Sequence, residues 1–415
     1  MDNKTVHIIG GGTVNYLASH LAVCAPAYGN TARKLFFICQ SQFDKLDVKI
    51  HLTKMASSGK SDLETNEDVE RLIDTLVADD KTRIIFLNTA LVDFGKLEDK
   101  KYAERYSTQQ NKSITVELDA LPKIVSKIRK TRKDIFLVAF KQTCGLSESE
   151  QYIAGLDLCK KSSCNLVLAN DQKTLLNMVI TPEESKYHVT TNRLEALHGL
   201  VEMTKLRSHL MFTRSTVVAG DPIPWDSDLV YPSLRTVVNH CIKQSAYKPF
   251  NGVTVGHFAC KLNETTFLTS IRKTNFNDLS KNGLVKVVTD GPDSVIAYGA
   301  KPSVGGQSQR IIFHDHSDYD CVVHFHCEKK ESSLVPVVSQ REVECGSHEC
   351  GRNTSNGLKK FGNLSAVHLD QHGPNIVFHH SINPQEVIDF IDENFDLSTK
   401  TGGFVSIAGK QQNDN

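Results

Sequence analysis

The run Asp320-Cys-Val-Val-His-Phe-His-Cys327 places two histidines at i and i+2 behind an apolar stretch. In an extended strand such side chains share a face and stand about 7 Å apart by strand rise, so one metal ion could bridge both imidazoles. A third ligand must come from elsewhere. Ala366-Val-His-Leu-Asp-Gln-His-Gly373, another strand-like run, offers His372 beside a flexible glycine. Three neutral imidazoles, His324, His326 and His372, with an open fourth position describe a catalytic rather than a structural site. Zn2+, or another divalent transition metal, would act there as a Lewis acid on a carbonyl or hydroxyl oxygen. The competing reading is a half-buried strand whose histidines are hydrogen-bonded core residues. Nine of the 17 histidines fall between His314 and His380, which concentrates the candidates for chemistry in the C-terminal part.

Glu344-Cys-Gly-Ser-His-Glu-Cys350 offers Cys345, His348 and Cys350 as further metal ligands, but nothing completes a closed tetrahedral set, and a loop bordering the active site is the expectation. His379-His380 is expected at a strand end. Asn383-Pro384 reads as the cap and first position of a C-terminal helix.

These residues need a scaffold of ordinary soluble type. The chain has 415 residues, 40% apolar and 23% charged, enough for two large domains at roughly 150 residues or more each. Lys+Arg and Asp+Glu both number 48, so no net charge favours a nucleic-acid backbone or an anionic membrane. The N-terminus carries too short an apolar run for a signal peptide, and no segment approaches the ~18 apolar residues of a membrane span. The 11 cysteines are odd in number and scattered, as expected of reduced thiols in a cytoplasmic protein.

Val6-His-Ile-Ile-Gly-Gly-Gly-Thr13 reads as a buried strand running into a glycine-rich turn, either a phosphate cradle or a structural turn. The third glycine of a dinucleotide fingerprint is absent. Further strands are expected at Leu35–Cys39, Val48–Thr53, Thr82–Leu87, Asp134–Phe140 and Asn165–Ala169, with helices at Asn66–Val77 and Leu121–Arg129 between them. That alternation predicts an α/β fold with a parallel, doubly wound, Rossmann-like sheet. Ser57-Ser-Gly-Lys60 lacks the spacing of a phosphate loop and reads as solvated. The stretch from Lys96 to Lys112, with Lys100, Lys101 and Arg105, is either a surface loop or a basic flap over a nucleotide.

Asn88-Thr-Ala-Leu-Val-Asp-Phe94, Leu121-Pro-Lys-Ile-Val125, Phe136-Leu-Val-Ala-Phe140 and Leu168-Ala-Asn-Asp171 follow in the order seen in the phosphopantothenoylcysteine synthetase family, which residues 1–210 resemble. The resemblance implies a Rossmann-like, dimeric domain that activates a carboxylate with CTP or ATP, with Mg2+, and joins it to an amine. It also implies that Gly10, Gly11, Gly12 and Thr13 flank the nucleotide phosphates, that Asp93 and Asn170 lie near the nucleotide, and that a lysine of the 96–112 loop closes the site. The family's segment after the first turn is replaced here by Val14-Asn-Tyr-Leu-Ala-Ser-His-Leu-Ala-Val-Cys-Ala-Pro26.

Residues 211–248, with Pro222, Pro224 and Pro232 among them and Pro249 just after, read as a linker and a docking helix at 233–244. Short strand-like runs at His257–Leu262, Thr266–Ile271, Leu284–Thr289 and Val295–Tyr298 then predict a mostly antiparallel sheet in a second domain, 249–405, before a disordered tail at 406–415. Phe267-Leu-Thr-Ser270, Gly299-Ala-Lys-Pro-Ser303, Cys321-Val-Val-His-Phe-His326 and the Ala366–Gly373 run resemble the class II aldolase/adducin family. Members cleave or form carbon–carbon bonds beside a carbonyl by metal stabilisation of an enediolate. The resemblance implies that His324, His326 and His372 hold the divalent ion and that Thr269, Ser270 and Ser303 bind a phosphorylated substrate. Arg272 and Lys273, following that pocket, favour an anionic substrate or form a solvated turn.

The family's Pro-Ser-x-Glu stands here as Pro302-Ser-Val-Gly305, so the glutamate is missing; Asp315, His316, Glu344 and Glu349 are the substitutes considered. The expected function is a zinc-dependent lyase on a phosphorylated sugar or related hydroxy-carbonyl compound, fused to a nucleotide-binding domain, in a homo-oligomer. The alternatives are a nucleotide-dependent carboxylate–amine ligase carrying a metal-bearing oligomerisation module, and an adducin-like interaction module, which would not need all three histidines.

Overall fold

The computed structural model describes residues 4–96, 107, 109 and 112–402, with the side chains of 305–308 excepted. Lys100, Lys101, Arg105 and the expected tail lie outside the described residues. The chain is a mixed α/β protein in two compact units: residues 1–182 with 187–208, and residues 183–186 with 209–415.

Unit 1 is built on β1 (Thr5–Gly12), α1 (Asn30–Gln42), β2 (Asp47–Leu52), α2 (Asn66–Ala78), β3 (Thr82–Ala90), α3 (Val125–Thr131), β4 (Phe136–Thr143), α4 (Glu148–Ser162), β5 (Leu166–Asp171), β6 (Asn177–Ile180), β7 (Lys186–Thr190) and α5 (Arg193–Arg207). The sheet order is β7-β6-β5-β4-β3-β1-β2. From β2 to β5 neighbouring strands run parallel, and β6 returns antiparallel against β5. Such an order switches direction at β1 and β3, where an open α/β sheet leaves a crevice at the strands' carboxyl ends. Helices α1 and α5 bury Leu35, Ile38, Leu197 and Leu200 in one core with the strand residues Ile8, Phe86 and Val138.

Two local expectations give way. Leu35–Cys39 is helical, inside α1, because Ala32, Leu35, Ile38 and Cys39 recur at helical spacing and are the buried set. Phe37, which a doubly buried strand would cover, is 67% exposed. The three glycines do not form a turn: Gly10, Gly11 and Gly12 are the last residues of β1, paired with Asn88, Thr89 and Ala90 of β3. A Cβ on Gly11, whose φ is +112°, would lie 2.1 Å from Thr53 Oγ1, so this strand end is glycine for packing. Helix α2 starts in a capping box, with Thr65 and Asp68 each bonding the other's backbone amide.

Unit 2 contains β8 (Arg214–Val218), α6 (Pro232–Lys243), β9 (His257–Lys261), β10 (Thr266–Ser270), β11 (Leu284–Thr289), β12 (Ser294–Tyr298), α7 (Val304–Asp315), β13 (Cys321–His324), α8 (His348–Gly357), β14 (Leu364–Leu369), β15 (Gly373–Phe378) and α9 (Pro384–Asn394). Its sheet runs β8-β12-β11-β10-β9-β13-β15-β14, antiparallel from β12 to β14. The stretch expected as linker and docking helix supplies the edge strand β8, parallel to β12, and α6, whose Leu234, Val237 and Val238 are core residues.

Period-two alternation divides the sheet between two cores. Phe258, Leu268, Val323 and Ile376 pack with α6 and α9, while Ala259, Phe267, Val322 and Val377 pack with Ile312 and Phe313 of α7. His257 and His324 therefore belong to the α7 side. Among the described residues no helix is long and apolar enough to cross a membrane.

Candidate metal centre

His324 ends β13 with Asn375 of β15 on one side and His257 of β9 on the other. His326 lies two residues on, past the end of the strand, and His372 sits in the turn between β14 and β15. The candidate ligand atoms of the three residues lie within 4.8 Å of one another. The ring centroids of His324, His326 and His372 are separated by 4.6 to 5.0 Å. All three residues are buried.

The backbone around them is tightly fixed. Gly373 has φ +124°, and a Cβ there would stand 2.1 Å from the Phe325 carbonyl oxygen. Only glycine lets the turn bearing His372 come this close to the chain bearing His326. Thr401 bonds to both ligand segments, its amide donating to His326 O at 3.2 Å and its hydroxyl to His372 O at 3.0 Å.

The chemistry of the donors fits a metal ion. His324 Nδ1 lies 2.8 Å from the Pro374 carbonyl oxygen. A carbonyl only accepts, so Nδ1 carries the proton and Nε2 presents its lone pair. Nε2 is buried with no hydrogen-bond partner among the described residues. An unsatisfied buried nitrogen costs about 1–3 kcal/mol, a cost that a ligated ion removes. Burial, followed by the neighbouring His372 and His257, holds the His324 imidazole well below its ordinary pKa, and the neutral ring is the ligating form.

Around this cluster stand groups that sequence reasoning did not single out. His257 packs on His324 at 4.7 Å between ring centroids, and the Gln309 amide of α7 contacts its Nδ1. Burial, and then His326, pushes His257 down to about 3. Glu184 approaches His326 Nδ1 to 3.7 Å and pairs with the Lys400 ammonium, both side chains being almost wholly buried. Glu184 lies 140 residues before the histidine motif, too remote for spacing to reveal it.

Three of the four substitute carboxylate and imidazole candidates have partners elsewhere. Asp315 accepts from Ser355 Oγ at 2.8 Å, and His316 Nε2 lies 3.0 Å from Ser355 O, both against α8. Glu349 accepts from the Met211 amide at 3.1 Å. Glu344 is buried at the start of the turn that leads to α8. None of these contacts joins the histidine cluster. The Cys345 and Cys350 side chains are hydrogen-bonded to each other, but His348 does not complete a ligand set with them, its Nε2 lying 2.9 Å from Thr213 Oγ1.

In the expected substrate pocket, Thr269 shares the His257 face, with its hydroxyl donated to Phe258 O at 3.2 Å. Ser270 falls by alternation on the face of Leu268, its carbonyl accepting from the amide of Ser303, which caps α7. Arg272 and Lys273 form an exposed turn, Lys273 with φ +61°.

In unit 1, Gly10, Gly11 and Gly12 lie at the β1/β3 switch. Thr13 is locked away, its hydroxyl donating to Asn66 Oδ1 at 2.7 Å and accepting from the Val92 amide at 3.0 Å. Asp93 is exposed and pairs with Lys123 at 2.5 Å. Asn170 lies on β5 opposite Asn177. Beside it, Asp171 accepts from the amides of Gly145, Leu146, Lys173 and Thr174 and from the Thr143 hydroxyl. These bonds, the Thr174 amide foremost, hold its carboxyl well below the usual range.

No family model matches the chain. The coenzyme A biosynthesis bifunctional protein CoaBC of Thermococcus kodakarensis is 24% identical over 177 residues, 42% of this chain and 42% of the relative. The chain thus spans less than half the length of the curated relative it matches. Among solved structures, the DNA/pantothenate metabolism flavoprotein from Streptococcus pneumoniae aligns with 48% of this chain and 97% of its own, at 16% identity and a TM-score of 0.39. L-fuculose 1-phosphate aldolase aligns with 39% of this chain and 82% of its own, at 15% identity and a TM-score of 0.30. The similarity to the first falls in the N-terminal half and that to the aldolase in the C-terminal part.

Proposed function

We propose that the chain is an enzyme whose unit 2 is a divalent-metal-dependent lyase of the class II aldolase type, acting on a phosphorylated sugar or related hydroxy-carbonyl compound. The observation that carries this reading is the buried His324 Nε2, which has no hydrogen-bond partner among the described residues, in a residue whose ligand atom lies within 4.8 Å of those of His326 and His372. His324, His326 and His372 would hold the ion, Zn2+ or another divalent transition metal. When bound, it supplies a Lewis acid toward the substrate's carbonyl and hydroxyl oxygens.

The remaining work falls to the chain's own groups. Glu184 provides, from another part of the sequence, the carboxylate that the Gly305 position lacks. Its oxygens take a proton from the carbon or hydroxyl beside the carbonyl and return it, with the Lys400 ammonium stabilising the anionic form between steps. His257, kept neutral and oriented by Gln309, fixes the His324 ring. The amide end of α7, at Ser303, receives the substrate phosphate, because a helix N-terminus favours an anion; the Ser270 carbonyl holds that end in place through the Ser303 amide.

A second reading is favoured by the similarity to CoaBC. Unit 1 would then act as a carboxylate–amine ligase, binding CTP or ATP with Mg2+ at the β1/β3 switch near Gly10 to Gly12, and unit 2 would be a metal-bearing module for homo-oligomer assembly. One set of measurements separates the two readings. Metal analysis should find a transition ion that His324→Ala/His326→Ala loses, together with cleavage of a phosphorylated hydroxy-carbonyl compound; a metal-free parent chain overturns the lyase. Thermal melting with CTP or ATP and Mg2+ should rise by the equivalent of about 2.7 kcal/mol at a hundredfold Kd, and no rise overturns the ligase.

A further inference from the structure

A second group of ligand-type side chains lies at the other end of the same strand, independent of the centre above. Asp320 immediately precedes β13, and His379 and His380 immediately follow β15, so the antiparallel pairing of Cys321 with Phe378 brings all three residues together. Their candidate ligand atoms lie within 4.8 Å of one another. From Asp320 to His324 the strand rises by about 13 Å, too far for one ion to serve both groups.

The group is held in place from several sides. Asp320 has a side chain only 9% exposed, and its Oδ1 accepts from the His380 amide at 2.6 Å. Its Oδ2 contacts His380 Nδ1 and lies 3.8 Å from His379 Nε2. The Tyr231 ring stacks on His380 with centroids 4.3 Å apart, and Ser233 Oγ donates to the His380 carbonyl at 2.8 Å. The Ser381 amide donates to His379 Nδ1 at 3.2 Å, and Ser381 Oγ stands 2.8 Å from the same nitrogen, which fixes the ring with its Nε2 edge toward Asp320. The two rings are about half exposed, so the remaining coordination positions open to solvent.

We infer that Asp320, His379 and His380 form a second, solvent-open site for a divalent transition cation, joining the start of β13 to the end of β15. Two imidazoles and one carboxylate make a donor set of intermediate softness, suited to Zn2+, Ni2+ or Co2+ and poor for Mg2+ or Ca2+.

The test is equilibrium dialysis of the full chain against Zn2+ alone, near neutral pH, with metal counted per chain. His379→Ala/His380→Ala should bind one ion fewer than the parent. His324→Ala/His326→Ala should lose a different one, with the losses adding in the combined variant. Loss in the second pair alone overturns the new site and leaves the first; loss in the His379/His380 pair alone does the reverse. Should the surface variant fail to fold by circular dichroism, carbethoxylation of the parent chain is read by mass spectrometry. Protection of His379 and His380 by Zn2+ supports the site, and equal modification with and without Zn2+ overturns it.

Discussion

Glu184 and Lys400, 216 positions apart in sequence, form a buried ion pair whose carboxylate faces His326. Neutralising the carboxylate by an isosteric amide leaves the Lys400 ammonium buried without its counter-charge, at a cost in stability, but keeps the shape and an oxygen acceptor beside it. Glu184→Gln should therefore retain the transition metal and lose about 10²- to 10⁴-fold in kcat of the proposed lyase. Metal analysis and turnover on the same preparation check this; unchanged turnover removes Glu184 from the chemistry.

Gly373→Ala forces a Cβ toward the Phe325 carbonyl at a φ of +124°. Strain of this kind costs about 1–3 kcal/mol before any displacement of the neighbouring chain. The urea midpoint should fall, and the turn carrying His372 should retreat, so Zn2+ affinity should fall with it. A variant as stable and as tightly metal-binding as the parent would contradict the close approach.

Burial pushes His368 down to about 4 from an ordinary value of 6.5. Below 6.5 the unfolded chain takes up a proton that the folded chain refuses until about 4, so this group's contribution to stability is intact at neutral pH and declines as pH falls through that window. His368→Phe keeps a ring against Phe395 and removes the titration. Urea midpoints measured between those pH values should slope less steeply for the variant than for the parent.

Asp171 titrates with the opposite sign. Its folded-state value lies below the ordinary 3.8, so the stability it confers is present above 3.8 and is lost as pH falls below it. Asp171→Asn replaces one accepting oxygen by a donor facing backbone amides, and it should lower the melting temperature at neutral pH while reducing the difference between neutral and strongly acidic conditions. Melting curves of both proteins across that range decide it.

The two-part α/β architecture was legible because hydrophobic period and turn chemistry act locally. Strands such as Thr82–Ala90 and the capped helix at Asn66 follow from neighbours in sequence. Leu35–Cys39 misleads because five apolar residues in a row suit a strand or a helix equally, and the decision rests with Ala32 a turn away. The His-x-His pair announces itself by alternation. Glu184, His257 and Lys400 do not, since what brings them to the cluster is the pairing of remote strands and the burial of a charge pair. Spacing likewise says nothing of Asp320 meeting His379 and His380, which depends on the register of β13 against β15.

Thr401 binds the backbone of both the His326 and His372 segments. Thr401 lies 29 residues beyond His372, so these two bonds form only once that stretch has folded back on the histidine segments. The proposed centre would on this account receive its last backbone support only after every strand of its sheet has been made.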